Sequence, residues 1–343
     1  MSDTIYGIMQ RRVGIDLGQV FTPLHLAEFA AKLLDIQSGD VVLDSSAGSG
    51  SLLLTAVAHG ASKVYGIEID ERVHDILQAN LKTAGATFET LCCGGHTEEA
   101  YEWVKDHKDI TKAMLNPPYE TKYHTFDILL NTLDALPKGA KVAIFYPAEH
   151  LLKNGQEWQD AFMAKHTVTH IVKLPKNSFQ PFANVQTALF LITAGIPQGG
   201  ELVFCCDITQ DGLTRKKNKY REDTTGEWRN KLEPYWLDVI EKQDGDESVS
   251  MVDPKKNGLH YYKYFDLRPT DDDFLNVVEN FMGWKAGELL RRLDPSLKPS
   301  DIGGNLVNLS LLMTRYPADF HELMFGDDGF KHAEQMMEAR HVD

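Results

Sequence analysis

At 343 residues, 43% of them hydrophobic, the chain has enough apolar material for a large core, and its formal net charge of -15 gives a surface that repels phosphate backbones on average. No run of eighteen apolar residues occurs, and Met1-Ser2-Asp3-Thr4 is not a basic region leading into an apolar one, so the reading is a cytoplasmic chain without a membrane span. The four cysteines stand as two adjacent pairs, Cys92-Cys93 and Cys205-Cys206, with neither CxxC spacing nor a nearby His pair, which predicts reduced thiols and no metal.

Taken in order, Leu17 to Pro23 opens the informative part, and Leu26, Ala27, Phe29, Ala30, Leu33 and Leu34 follow at helical spacing. Thr22 is expected as N-cap and Pro23 as first helical residue. A helix start explains this locally, and its free N–H groups could also hold a ligand carboxylate. Asp40 to Asp44 is a short apolar strand running into Ser45-Ser46-Ala47-Gly48-Ser49-Gly50 and a helix from Leu52 to Ala58. Strand, glycine turn and helix make the first unit of a doubly wound sheet, in which ligands sit beyond the carboxyl ends of the strands. Lys63 to Asp70 contains the second strand, and its Glu68 stands where an acid usually accepts ribose hydroxyls. Neither a Gly-Lys-Ser/Thr nor a third glycine is present, so a nucleoside without a pyrophosphate fits better than a nucleotide.

Strands over Thr87 to Leu91 and Lys112 to Leu115, with a helix over Thr97 to Lys108 between them, deliver Asn116-Pro117-Pro118-Tyr119 to the same sheet edge as Gly48 and Glu68. This tetrad suits chemistry on a planar amine whose lone pair is delocalised into a ring. The Asn116 side-chain oxygen and the Pro117 carbonyl are two acceptors that can take both amine hydrogens and leave the nitrogen more electron-rich. Tyr119 offers a flat face to a base taken out of its stack. A helix at Thr125 to Leu136, a strand at Lys141 to Tyr146, a helix at Glu149 to Ala164 and strands at Val168 to Leu174 and Thr187 to Thr193 complete an α/β pattern with an antiparallel edge.

Four stretches carry a family resemblance over residues 17 to about 214: Gly18 to Pro23, Asp44 to Gly50, Asn116 to Tyr119, and Leu174-Pro175-Lys176-Asn177-Ser178-Phe179 leading into Val185 to Phe190. Together they resemble the N6-adenine DNA methyltransferases and, within them, the methylation subunit of type I restriction-modification systems. The resemblance implies a seven-stranded class I methyltransferase sheet using S-adenosyl-L-methionine. It places Phe21, Thr22 and Pro23 at the methionine end of that cofactor, Asp44, Gly48, Ser49 and Gly50 in its main loop, and Glu68 on its ribose. Asn116 and Pro117 then activate the adenine amine, Tyr119 stacks on the flipped base and Phe179 closes the base pocket. The implied partners are double-stranded DNA, a specificity subunit and a restriction subunit, with a homo-oligomer left open. Alternatives are methylation of a protein or RNA amide or amine through the same tetrad, and a module that binds without catalysis. Two departures stand out. Ser45 and Ala47 replace the Pro and Cys usual in the first loop, and Cys92 to His96 offers no acid where one commonly meets the adenine ring.

The expected division is a catalytic domain over 1–205 and a mainly helical extension over 206–343 for target recognition or partner docking. Within the latter, Arg215, Lys216, Lys217, Lys219 and Arg221 form the densest basic run and are candidates for phosphate contact. Asp271-Asp272-Asp273 starts a helix reaching about Leu293, and a further helix is expected over Asp319 to Arg340.

Overall fold

The computed structural model describes residues 22–120, 124–147, 155–180, 185–215, 221–245, 248–259, 271–298, 301–302 and 305–326. The chain forms two compact units, residues 1–263 and 264–343.

In the first unit, α1 (Leu24–Leu33) precedes β1 (Val41–Asp44), α2 (Ser51–Ala58), β2 (Lys63–Ile67), α3 (Glu71–Thr83) and β3 (Phe88–Leu91). Then come α4 (Glu98–Asp106), β4 (Lys112–Leu115), α5 (Thr125–Ala135), β5 (Lys141–Pro147), α6 (Gly155–Met163), β6 (Thr167–Lys173) and β7 (Thr187–Thr193). The chain continues through β8 (Val203–Asp207), a two-stranded ribbon of β9 (Thr214–Arg215) and β10 (Arg221–Glu222), α7 (Glu233–Lys242), β11 (Val249–Val252) and the single turn α8 (Pro254–Asn257).

One sheet runs β11-β8-β6-β7-β5-β4-β1-β2-β3. The pairs β1·β2, β2·β3, β1·β4, β4·β5 and β6·β8 are parallel, whereas β7 is antiparallel to both β5 and β6, and β11 to β8. The α/β class and mostly parallel pairing hold, and among the described residues the sheet has nine strands rather than seven. Alternation within strands feeds a core on each face. Val142, Ile144 and Tyr146 join one cluster with Leu43 and Leu115, while Ala143 and Phe145 join another with Val42 and Met114. Strand order reverses between β1 and β4, so the crevice that such sheets offer to ligands lies beyond Asp44 and Leu115.

The expected boundary at 205 falls inside β8, whose Cys205 and Cys206 are buried on opposite faces of the sheet. Both thiols are free, and burial pushes that of Cys205 up to about 12, so they act as small apolar core groups.

The second unit contains α9 (Asp271–Leu293), α10 (Asn305–Arg315) and α11 (Pro317–Phe325) around Met282, Ala286, Leu290, Leu312 and Leu323. A Cβ at Gly287 would stand 2.8 Å from Asn308 Nδ2, an amide that donates to the Gly283 carbonyl at 3.2 Å, so Gly287 admits α10 against α9. The expected helix from Asp271 to Leu293 is present; the remainder of the one expected to Arg340 lies outside the described residues after α11.

Candidate active site

The turn between β1 and α2 places backbone where side chains would obstruct it. Gly48 and Gly50 have φ of +54° and +93°, and a Cβ at Gly50 would also meet Leu77 Cδ1 at 2.8 Å. At Gly48 an added Cβ would meet nothing within 4 Å, so the turn borders open space. The Gly48 N–H donates to Glu68 Oε2 at 2.8 Å, and the Asp70 N–H to Glu68 Oε1 at 2.9 Å, which fixes the second strand's acid beside the turn. Asp44 accepts from the Ser46 N–H at 2.9 Å.

Both carboxyls are buried, Asp44 at 2% and Glu68 at 5% exposure. Burial pushes Asp44 up to about 7, Glu68 adding to the rise and the Ser46 hydrogen bonds opposing it. Burial also raises Glu68, against the pull of its backbone donors. Two desolvated acids at one crevice suit a ligand bearing a cation and hydroxyls. The Ser49 hydroxyl, buried with no hydrogen-bond partner, adds a polar group aimed at nothing in the protein. Ser45 Oγ meets Thr132 Oγ1 at 2.6 Å, so this departure from the usual loop residue is absorbed by α5. Where the sequence offers no acid after the third strand, Gly95 lies so close to the first loop that a Cβ there would collide with the Ser45 carbonyl oxygen, and His96 stacks on His124 at 4.1 Å.

Beyond β4, Asn116 is 8% exposed. Its Nδ2 donates to Thr22 Oγ1 at 2.9 Å, and the Tyr119 hydroxyl donates to its Oδ1 at 2.8 Å. Ser51 Oγ donates to the Thr22 carbonyl at 3.1 Å, so one residue joins the tetrad to the helix that follows the glycine turn. Thr22 therefore does not cap α1 as expected. The N-cap is Pro23, with extended geometry, and the helix starts one residue later because the Thr22 hydroxyl is committed to Asn116. Phe21 lies outside the described residues. Pro117 is buried behind Asn116, and the Pro118 carbonyl accepts from the hydroxyl of the fully buried Thr125.

Tyr119 and Phe179 come together, but not as parallel plates. Their rings meet edge to face at 5.6 Å and 88°, with exposures of 7% and 1%, and Phe145 packs on Phe179 at 5.9 Å. A planar base has no preformed slot between these two rings, so the expected two-sided pocket requires one of them to turn.

Of the basic run, Lys216, Lys217 and Lys219 and the Arg215 side chain lie outside the described residues. Arg221 corrects the expectation of a phosphate contact. Its side chain is 6% exposed and paired through both terminal nitrogens with Asp211, itself 2% exposed. It also donates to the carbonyls of Asn177 and Leu213, both at 3.3 Å. The arginine is thus engaged inside the protein, holding the turn that carries Phe179. His25 Nε2 stands 3.9 Å from Asp211, and burial holds its imidazole down at about 4, so it is neutral at pH 7. No spacing in the sequence marks the Asp211–Arg221 pair or the Thr22–Asn116 bond, since they join residues 10 and 94 positions apart.

Among the described residues no group of three or more His, Cys, Asp or Glu could hold a metal, and no helix is long and apolar enough to cross a membrane.

Comparison with known proteins agrees with the resemblance read from the motifs. Residues 8–132 match the N-6 DNA Methylase family model. The type II restriction enzyme and methyltransferase RM.BcgI of Heyndrickxia coagulans is 23% identical over 312 residues, covering 78% of this chain and 46% of that protein, so the chain spans about half the length of this curated relative. Among solved structures, a modification subunit of a putative type I restriction enzyme from Vibrio vulnificus aligns with a TM-score of 0.56 at 17% identity, covering 74% of this chain and 59% of the other. A putative class I S-adenosylmethionine-dependent methyltransferase from Listeria monocytogenes aligns at 0.51 and 12% identity, covering 70% and 76%. These structural likenesses establish the class I methyltransferase fold.

Proposed function

We propose, for a chain whose residues 8–132 match the N-6 DNA methylases, that it transfers a methyl group from S-adenosyl-L-methionine to the N6 amine of an adenine extruded from double-stranded DNA. One observation carries this reading: the Asn116 amide is linked through Thr22 to Ser51 at the start of α2, which supports a single site for the planar-amine acceptor and the glycine turn.

The residues present fit the cofactor, which when bound supplies an electrophilic methyl on a sulfonium. Glu68, held beside the turn by the Gly48 and Asp70 N–H groups, would take the ribose hydroxyls, and Asp44 would face the cationic methionine end beside Gly48, Ser49 and Gly50. Pro23 borders the same end. Asn116 Oδ1 and the Pro117 carbonyl would accept the two amine hydrogens and leave the nitrogen more electron-rich toward a methyl whose bond to sulfur breaks as that to nitrogen forms, the surplus amine proton then passing to solvent. Alignment and polarisation suffice, and no covalent enzyme intermediate is required. Entry of the base turns the Tyr119 hydroxyl away from Asn116 and opens the Tyr119–Phe179 contact.

DNA grip is assigned largely to a partner. The net charge of -15 opposes phosphate, and Arg221 is consumed internally, which supports a separate specificity subunit; a restriction subunit is proposed from the likeness to a modification subunit of a type I restriction enzyme. The second unit, residues 264–343, is proposed to serve target recognition or docking to that partner.

The deciding experiment incubates the protein with labelled S-adenosylmethionine and duplex DNA, with and without a co-encoded specificity protein, and analyses the nucleosides. N6-methyladenine is the expected product. Label found only in protein or RNA, or none despite cofactor binding, overturns the assignment.

Asp44 sets a pH dependence. Its carboxyl is raised to about 7 without ligand, and a cationic ligand favours the ionised form, so binding below that pH must displace a proton. Affinity for S-adenosylmethionine is expected to fall about tenfold per unit as pH drops below about 7 and to level off above it. Calorimetry from pH 5.5 to 8.5 checks this, and Asp44→Asn should flatten the slope.

A further inference from the structure

We propose that Thr22 is a positioning residue that sets which end of the Asn116 amide faces the target amine. This rests on the methyl-transfer reading above and adds to it a role distinct from bordering the cofactor.

The two ends of an asparagine amide are nearly the same size, so packing alone does not choose between them. Chemistry does. With Oδ1 toward the substrate the group accepts an amine hydrogen; turned by half a rotation it presents N–H to N–H and repels the base it should polarise. Asn116 is 8% exposed and sits between two hydroxyls, Thr22 at Nδ2 and Tyr119 at Oδ1. Those hydroxyls are not equivalent. A phenol is the stronger donor and weaker acceptor because its oxygen lone pair is shared with the ring, whereas an aliphatic hydroxyl accepts well. The observed orientation gives the phenol the acceptor and the threonine the donor, and reversal would cost on both sides.

The phenol cannot do this alone during reaction, since the amine must replace it at Oδ1. Thr22 is then what keeps Nδ2 turned away. Its surroundings hold it firmly in that role, because its side chain is buried at 4% exposure, its carbonyl is tied to Ser51 Oγ, and Pro23 fixes the backbone immediately after it. A residue that only touched the cofactor would have no reason to bond Asn116. One that only capped α1 would direct its hydroxyl at the helix N–H groups.

The test compares wild type, Thr22→Val and Thr22→Ser for single-turnover methyl transfer to adenine-containing duplex and for S-adenosylmethionine affinity by calorimetry. Thr22→Val, which keeps shape and removes the acceptor, is expected to slow transfer about 10–100-fold with less than about a threefold change in cofactor affinity, and Thr22→Ser to restore most of the rate. A parallel loss of cofactor affinity would make Thr22 a cofactor contact and overturn the proposal, as would a Thr22→Val rate equal to wild type or a Thr22→Ser as slow as Thr22→Val. If Thr22→Val does not fold, Thr22→Cys, a weak acceptor of similar size, carries the same comparison. Absence of transfer by wild type would instead count against the methyl-transfer reading. A urea double-mutant cycle of Thr22→Val with Asn116→Ala then still decides the bond itself, since additive losses would show that the two side chains do not interact.

Discussion

Asn116→Ala is expected to lower methyl transfer about 10²–10³-fold, the range found when one preorganised polar group is removed from a developing charge, while S-adenosylmethionine binding stays close to wild type. The separation follows from topology. Asn116 lies past β4, whereas Asp44 and Glu68 lie at the ends of β1 and β2 and accept from the backbone of Ser46, Gly48 and Asp70. The variant also strips the Tyr119 phenol of its acceptor inside the core, which should cost about 1–3 kcal/mol of stability. Unfolding in urea measures that term apart from catalysis. Single-turnover transfer and calorimetry on the same preparation give the rest. Equal losses of transfer and cofactor binding would make Asn116 a structural clamp between Thr22 and Tyr119.

What is legible in the sequence is what short-range pattern encodes. Apolar strands ending at Asp44 and Leu115 and the glycines after the first of them place a crevice at the reversal of strand order, because strand period and turn chemistry are local. The tetrad can be read as an amine site because its acceptors lie on adjacent residues. Three features stay hidden for one reason. The Thr22–Asn116 bond, the insertion of Gly95 against Ser45, and the Asp211–Arg221 pair are tertiary choices among residues with ordinary local uses. Thr22 passes for a helix cap, Asp211 for a turn residue, and Arg221 for the end of a basic run. Strands β8 and β11 extend the sheet past the strands that the methyltransferase pattern requires, and so carry the first unit beyond the boundary expected at 205.

Arg221→Ala should destabilise the first unit by about 3–5 kcal/mol, because it leaves the Asp211 carboxylate buried without its guanidinium partner. Such a loss would not occur if the arginine pointed at DNA phosphates, where truncation changes stability by a few tenths of a kcal/mol and acts on the salt dependence of binding instead. The pH profile separates the cases further. Arg221 is one of the groups that hold His25 down, behind burial as the main cause, while Asp211 pulls the other way across 3.9 Å. Removing the guanidinium lets the folded His25 pKa rise from about 4 toward its ordinary value, so the stability that the wild type loses as pH falls below the ordinary histidine range is lost to a smaller extent in the variant. Urea midpoints should therefore show a smaller deficit for Arg221→Ala at pH 5 than at pH 8. Since Arg221 also holds the Asn177 carbonyl, two residues before Phe179, transfer should decline even where the variant is fully folded. Arg221→Lys should recover only part of both losses, for an ammonium cannot span the two Asp211 oxygens and the Asn177 and Leu213 carbonyls together. A deficit below about 1 kcal/mol at pH 8 would remove Arg221 from the support of the base pocket and return it to the surface charges.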